Sequence, residues 1–473
     1  MPAPRQGSAA AILPQLAAFL GDRVTDAPAV RDHHGRGEDW FESTPPELVC
    51  TPASTAEVAR IVSTCAAGGV PIVPWGAGTS VEGHVLALEG GVCIDLSRMN
   101  RVLAVSVGDL DCRVEAGVTR LQLEKKLGRE GLFFPVDPGA DATLGGMAAT
   151  GASGTTTVRY GAMKENVLGL TVVLAGGGVI RTGGRARKSS SGYDLTRLFV
   201  GSEGTLGIIT ELQLRLQGIP EAISAAVCQY PDLHAAVDTA IAAIQVGIPL
   251  ARVELLDENQ MRASIAYSGL SGYQERPTLF FEFHGSAAGV EEQARAVREI
   301  SDEHGGANFA WSRLPEERSR LWKARHDAYF AGLELAPGKK AITTDVCVPI
   351  SKLADSILAA KADVEASGLT VTIVGHVGDG NFHLLILVDP GDPDEIARGK
   401  ALNHRLVERA LAIGGTCTGE HGIGYGKIGF MEAEHGDAVK TMWTIKRALD
   451  PDNILNPGKV LPSTRTGTPI PDR

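Results

Sequence analysis

Apolar and polar positions are most clearly patterned near the C-terminal end. There Leu369–Val374 (LTVTIV) and Leu384–Val388 (LLILV) flank Gly375–His383, GHVGDGNFH. Short runs rich in β-branched and aliphatic residues predict two strands. Asp379-Gly380 between them predicts a hairpin closed by a two-residue primed turn. In that register Gly378 faces Asn381, Val377 faces Phe382, and His376 faces His383. Directly opposite residues have Cβ atoms roughly 5 Å apart, a span over which two imidazoles can share a divalent metal. Asn381 falls on the same side as His383, because side chains alternate faces. Downstream, Gly414–Thr418 reads as extended and leads into Gly419-Glu420-His421-Gly422. Consecutive extended residues point opposite ways, so Glu420 is expected to join His376 and His383 on a metal while His421 faces a substrate. Two histidines and one carboxylate suit Zn²⁺ or Mn²⁺ and leave positions open for substrate or water. The bland alternative is a pair of cross-strand core histidines and a loop carboxylate.

Upstream, residues 1–44 hold one helix candidate, Ala9–Leu20, interrupted by Pro14, in an otherwise polar surface segment. Ser54-Thr55-Ala56-Glu57 reads as a capping box opening a helix that stops at Gly68-Gly69. A strand at Val70–Val73 then runs into Pro74-Trp75-Gly76-Ala77-Gly78-Thr79-Ser80. A glycine-rich loop after a strand can present backbone N–H groups to a phosphate. After Gly76-x-Gly78 the next glycine is Gly83, which breaks the dinucleotide fingerprint. Two further loops have the same texture: Pro135–Gly154, with hydroxyls at Thr143, Thr150 and Ser153, and Gly201–Thr210. Between them Val167–Leu174 and Gly178–Thr182 read as a hairpin, and Lys188–Asp194 as a polar loop able to close over a ligand. Three such loops in one β-rich region predict a long cofactor lying across several elements.

The texture changes at Gly218-Ile219-Pro220. Strands at Ala225–Tyr230 and Thr278–His284 alternate with helices at Leu233–Gln245 and Val290–His304, predicting helices over an antiparallel sheet. A helix over Glu317–Leu335 would carry Trp322, Arg325, Tyr329 and Leu333 on one face. Arg325 there either packs its stem and meets a structural carboxylate, or clamps a substrate carboxylate with its planar fork. Gly424-Tyr425-Gly426-Lys427-Ile428-Gly429 matches G-x-G-x-x-G but lies outside any βαβ unit and reads as a decoy.

Composition narrows the classes. A chain of 473 residues is long enough for two or three domains. A formal charge of −11 argues against nucleic acid or an anionic membrane as the main partner. The seven cysteines are scattered, odd in number and without C-x-x-C, which suits a reducing cytosol. No apolar run approaches the ~18 residues of a membrane span, and the N-terminus lacks a secretory pattern. A cytoplasmic location is therefore expected.

The three glycine-rich loops, with GHVGDGNFH and GTCTGEHGIG, resemble the vanillyl-alcohol-oxidase type of FAD enzymes. Within that type they are similar to the FAD-dependent D-2-hydroxyacid dehydrogenases, nearest to the cytochrome-linked D-lactate dehydrogenases. The likeness runs from about Pro45 to Leu461. It implies a two-domain α+β flavoprotein: a PCMH-type FAD-binding domain over 45–219 and a substrate- and metal-binding domain over 220–473. Residues 440–461, including Leu449–Lys459, would pack back on the FAD domain. Pyrophosphate and isoalloxazine would be held by Pro74, Trp75, Gly76, Ala77, Gly78, Thr79 and Ser80, with Asp137, Pro138, Thr143, Gly145, Gly146, Ala149, Thr150 and Gly154. Glu203, Gly204, Gly207 and Ile208 would also contact FAD. Some relatives attach flavin through a histidine in the first loop; Gly78-Thr79-Ser80 has none, so FAD is expected to be non-covalent.

The resemblance also favours Arg325 as the substrate-carboxylate anchor, with Trp322, Tyr329, Lys340 and Asn381 lining the substrate. Enzymes of this family that take hydroxyglutarate use a small hydroxyl residue one turn after the arginine and a lysine further on. Here the first position is the bulky Tyr329 and the second is Lys340, so Tyr329 is expected to disfavour a diacid. The implied reaction is oxidation of D-lactate to pyruvate. A metal on His376, His383 and Glu420 would bind the α-hydroxyl, His421 would take its proton, and a hydride would pass to flavin N5. Alternatives within the family are a D-2-hydroxyglutarate dehydrogenase and a glycolate oxidase FAD subunit. Outside it stand a metallohydrolase and a non-catalytic flavin-binding subunit. The implied partner is a cytochrome, quinone or electron-transfer flavoprotein. A location peripheral to the inner membrane face and a homodimer stay open.

Overall fold

Ser54 accepts a hydrogen bond from the Glu57 amide at 3.3 Å and opens the helix Thr55–Gly68, which ends on Gly69 in the left-handed conformation. Only half of the expected capping box forms. The Glu57 carboxylate instead accepts from the Ala53 amide and pairs with Arg23. This helix links the strands Leu48–Cys50 and Ile72–Trp75, which flank Val92–Asp95 in parallel, with Val24–Thr25 antiparallel at the edge. The strand therefore takes in Pro74 and Trp75, which the sequence placed in the loop. The computed structural model describes residues 7–463; residues 1–6 of the expected surface segment and 464–473 lie outside the described residues. Ala9–Leu20 is one continuous helix through Pro14. Ala9, Ile12, Leu16 and Leu20 bury its apolar stripe in the core, so this part of the N-terminal segment is core rather than surface.

The chain forms two units. The first holds the residues up to Ser153, Ala162–Gly218, and those from Glu420 onward. Beside the four-stranded sheet it has a five-stranded antiparallel one, in the order Val102–Ser106, Asp111–Glu115, Ile208–Arg215, Val167–Val173, Val179–Gly183. The second unit holds Gly154–Gly161 and Ile219–Gly419. Its sheet runs Ala307–Ser312, Ala222–Gln229, Thr278–Gly285, Leu250–Leu256, Thr370–His376, Asn381–Val388, Lys340–Thr343, and Val346–Cys347 also pairs with Asn381–Val388. All pairings are antiparallel, as the alternation predicts.

Two details differ from the sequence reading. The Thr370–His376 and Asn381–Val388 strands pair with His376 opposite Asn381 and Val374 opposite His383, around the loop Val377–Gly380. A primed two-residue turn needs positive φ at both central residues, and only Gly380, at φ 80°, has it. The slip is even, so every side chain keeps its face. The second difference is a break in the expected long helix, which becomes Pro315–His326 and Ala328–Leu333 around Asp327. Gly380 cannot carry a side chain: a Cβ would strike the Val348 carbonyl oxygen. Gly380→Ala is expected to cost about 1–3 kcal/mol, read as a fall in the thermal unfolding midpoint.

Candidate active site

In the strand Leu250–Leu256, Arg252 and Glu254 alternate with Ala251, Val253 and Leu255. Glu254 is wholly buried, and a buried carboxylate needs partners. Its Oε1 accepts from His376 Nδ1 at 2.7 Å. Its Oε2 accepts from Arg325 Nε at 2.8 Å and Nη2 at 2.7 Å. The Nε–Nη2 edge of Arg325 thus meets a structural carboxylate, as one of the two sequence readings had it. His383 Nδ1 donates to the Thr344 carbonyl at 2.9 Å. Carboxylates and carbonyls only accept, so each Nδ1 carries a proton, which in the neutral tautomer places the lone pair on Nε2. The rings stand 5.5 Å apart between centroids. Two buried imidazoles presented through Nε2, with Nδ1 fixed by an acceptor, are the donor chemistry that holds a divalent metal.

Asn381 lies on the same face. Its Nδ2 donates to Asp345 Oδ1 at 2.7 Å and to the Val346 carbonyl at 2.8 Å, while its Oδ1 is buried without a protein partner. Asp345 also accepts from Thr418 Oγ1 at 2.7 Å. One turn before Arg325, Trp322 packs on Phe280 and lies under Arg252. Its indole N–H is likewise buried without a partner. Tyr329, just after the helix break at Asp327, is 39% exposed and packs edge-on to Phe330. Lys340 is exposed at the start of its strand. Sequence reasoning missed Glu254 and Asp345. A signal existed for the first: an R-x-E alternation inside an apolar strand implies charges that must be paired.

In the first unit the three glycine-rich stretches meet. Gly76 abuts the Thr143 side chain, and Thr143 caps the helix Leu144–Thr150 through the Gly146 amide at 3.3 Å. The Gly201 and Glu203 amides donate to Ala148 and Ala149 carbonyls at 2.9 and 2.8 Å. Gly145, Ala149, Thr150, Asp137, Pro138, Gly204, Gly207 and Ile208 belong to these same stretches and are partly or fully buried. Gly154 is the exception, since it opens the segment assigned to the second unit. Trp75 Nε1, Ser80 Oγ and Ser202 Oγ are buried without protein partners, as fits groups that serve a polar ligand such as FAD.

Glu203 adopts φ 54°, a left-handed conformation rare outside glycine. Its carboxylate accepts from the Ile423 and Gly424 amides at 2.7 Å each, with His84 Nε2 at 3.2 Å. In the decoy G-x-G loop the Gly424 amide is thus taken by Glu203, and the Tyr425 and Gly426 amides donate to the Glu82 carbonyl at 2.7 and 3.1 Å. The C-terminal return is pinned here as well: Asn456 Nδ2 donates to the Glu203 carbonyl at 2.8 Å, and Lys446 Nζ to the Thr205 carbonyl at 2.8 Å. Lys459 Nζ donates to the Leu86 carbonyl at 2.7 Å, and burial lowers its pKa to about 7 despite the Glu203 charge. Protonated buried lysine therefore costs stability below about pH 7, and the cost is relieved as pH rises toward the ordinary lysine value near ~10.4. Lys459→Met is expected to flatten this rise, measured as the wild-type-minus-variant difference in unfolding midpoint between pH 7 and 9.

Glu420 and His421 also belong to the first unit. Residues 414–418 do not form a strand; only Thr416 makes an isolated bridge, to Cys347. The chain bends through 419–421 and Gly422 sits at φ 78°. Without extended geometry the two side chains do not diverge as expected: His421 Nε2 lies 3.6 Å from Glu420 Oε1. Glu420 Oε2 accepts from Ser153 Oγ at 2.8 Å. On the other ring edge, His421 Nδ1 stands 3.8 Å from Glu82 Oε1, which pairs with Lys427 at 3.1 Å.

Residues 219–460 match the family described as FAD linked oxidases, C-terminal domain, and residues 46–183 match an FAD binding domain. The chain belongs to the FAD-linked oxidases. This oxidase is 52% identical to a Danio rerio protein named "Probable D-lactate dehydrogenase, mitochondrial", over 94% of its own length and 90% of the relative's. It is 48% identical to the Arabidopsis thaliana "D-lactate dehydrogenase [cytochrome], mitochondrial", covering 95% and 80%. Among solved structures it is similar to 4-ethylphenol oxidase from Gulosibacter chungangensis, with a TM-score of 0.77, 20% identity and coverage of 96% and 98%. The fold is thus the expected α+β flavoprotein of the vanillyl-alcohol-oxidase/PCMH type. Among the described residues no helix is long and apolar enough to cross a membrane. The names of both dehydrogenase relatives say mitochondrial, which gives the cytoplasmic expectation no support.

Proposed function

We propose that this oxidase converts a D-2-hydroxyacid, D-lactate before others, to the 2-oxoacid. FAD is held non-covalently, and a divalent ion, Zn²⁺ or Mn²⁺, is held by His376, His383 and Glu420. The observation that carries the reading is the buried face where two Nε2-presenting imidazoles stand with Arg325, Trp322 and Asn381. Glu420 is the first residue after the unit that holds both histidines. No histidine occurs in Gly78-Thr79-Ser80, and the nearby His84 is engaged by Glu203.

When bound, FAD supplies the hydride acceptor and the divalent ion supplies Lewis-acid polarisation of the α-hydroxyl. Arg325 anchors the substrate carboxylate through its Nη1–Nη2 edge, since Glu254 takes the other edge. The Trp322 indole N–H adds a donor to that carboxylate, and Asn381 lines the substrate beside the two imidazoles. His421 Nε2 takes the hydroxyl proton, steadied from the Nδ1 side by Glu82. The electrons leave to a cytochrome, in keeping with the name of the Arabidopsis relative; a quinone or flavoprotein is the alternative.

A diacid needs a second cation. Lys340 is exposed, and Arg252 already has Glu282 at 3.5 Å. D-lactate should therefore reduce the flavin with a kcat/KM at least about tenfold above D-2-hydroxyglutarate, roughly 1.4 kcal/mol of discrimination. Anaerobic stopped-flow reduction with both acids decides it, and a preference for the diacid rejects the reading.

A further inference from the structure

We propose that Glu254 is a positioning residue: by binding His376 and Arg325 at once, it fixes the spacing between hydroxyl site and carboxylate anchor that selects a 2-hydroxyacid. The inference rests on the function proposed above. A 2-hydroxyacid carries its hydroxyl and carboxylate on adjacent carbons, so the two groups that grip them must keep one short, fixed separation. Nothing local sets that separation. His376 comes from a strand 122 residues from Glu254 in sequence, and Arg325 from a helix 71 residues away. One carboxylate joins them, with Oε1 on the imidazole and Oε2 on the guanidinium. Glu254 is wholly buried.

Each oxygen has a separate task. Oε1 orients the His376 ring and makes its Nε2 a better donor, the role an outer carboxylate plays for a ligating histidine. Oε2 takes one edge of the Arg325 fork and so aims the other. The aspartate homologue keeps the charge but is one methylene shorter, so it can reach either partner and not both.

The test uses the FAD-loaded enzyme stripped of metal by chelation and titrated with Mn²⁺, free ion being followed by electron paramagnetic resonance. Glu254→Asp is expected to bind Mn²⁺ about 10–100-fold more weakly. It should also show at least a tenfold higher KM for D-lactate, with FAD content unchanged. Its preference for D-lactate over 3-hydroxypropionate in flavin reduction should narrow. Glu254→Gln, which keeps the length and one acceptor oxygen, carries the same expectations should the aspartate variant not fold. Loss of FAD with Kd, KM and preference unchanged in the remaining active enzyme would mean a structural role and overturn the proposal. Unchanged Mn²⁺ affinity and KM in the variants, beside a wild type that binds one ion, would overturn the role of Glu254 alone. A wild type that binds no Mn²⁺ would overturn the metal reading, and this inference with it.

Discussion

His421→Ala should slow flavin reduction by D-lactate about 10²–10⁴-fold, the usual scale for a positioned general base. FAD and metal should be retained. The expectation follows from where the ring is held. Its Nδ1 edge faces Glu82 at 3.8 Å, and its Nε2 edge lies 3.6 Å from Glu420 Oε1. Glu82 is itself fixed by Lys427, so the ring stands between two carboxylates. Anaerobic stopped-flow at saturating D-lactate measures the step directly. Loss of metal with little kinetic defect would make His421 a ligand instead.

Arg325→Met should be the most damaging single change to the second unit. It leaves Glu254 in the core without its cation, and breaking a buried pair by removing one partner costs about 3–5 kcal/mol. It should also raise KM for D-lactate about 10–100-fold, the worth of hydrogen bonds to a charged group. The two effects separate in the double variant Arg325→Met/Glu254→Gln. Removing both charges should recover much of the unfolding midpoint but none of the KM. Recovery of KM as well would show that Arg325 touches only Glu254 and not the substrate.

Most of the fold was legible because its signals are local. Alternation predicted an antiparallel sheet with helices after Gly218, and the helix Leu233–Gln245 has the bounds that its apolar spacing predicts. The hairpin shows how far such signals reach. The sequence chose the wrong turn, yet His376, Asn381 and His383 still share a face, because an even slip preserves parity. The single helix expected over Glu317–Leu335 became two because a helical period cannot register a break. Asp327 interrupts the backbone with no proline or glycine to announce it.

The amino-acid sequence by itself determined the elements, the glycine-rich loops and the family, since each is written in neighbouring residues. It also brought forward His376, His383, Glu420, His421 and Arg325. Only the tertiary structure decided what those side chains do with one another. Whether Arg325 faces a structural carboxylate was open in the sequence, and Glu254 answers it from a distant strand. The same carboxylate sets the tautomer of His376, and the Thr344 carbonyl sets that of His383. The direction of Glu420 and His421 turned on a bend that alternation does not describe. The physical reason is common to all of these. A buried charge must find its counterpart wherever the folded chain brings one, and that choice is made by packing, not by sequence spacing.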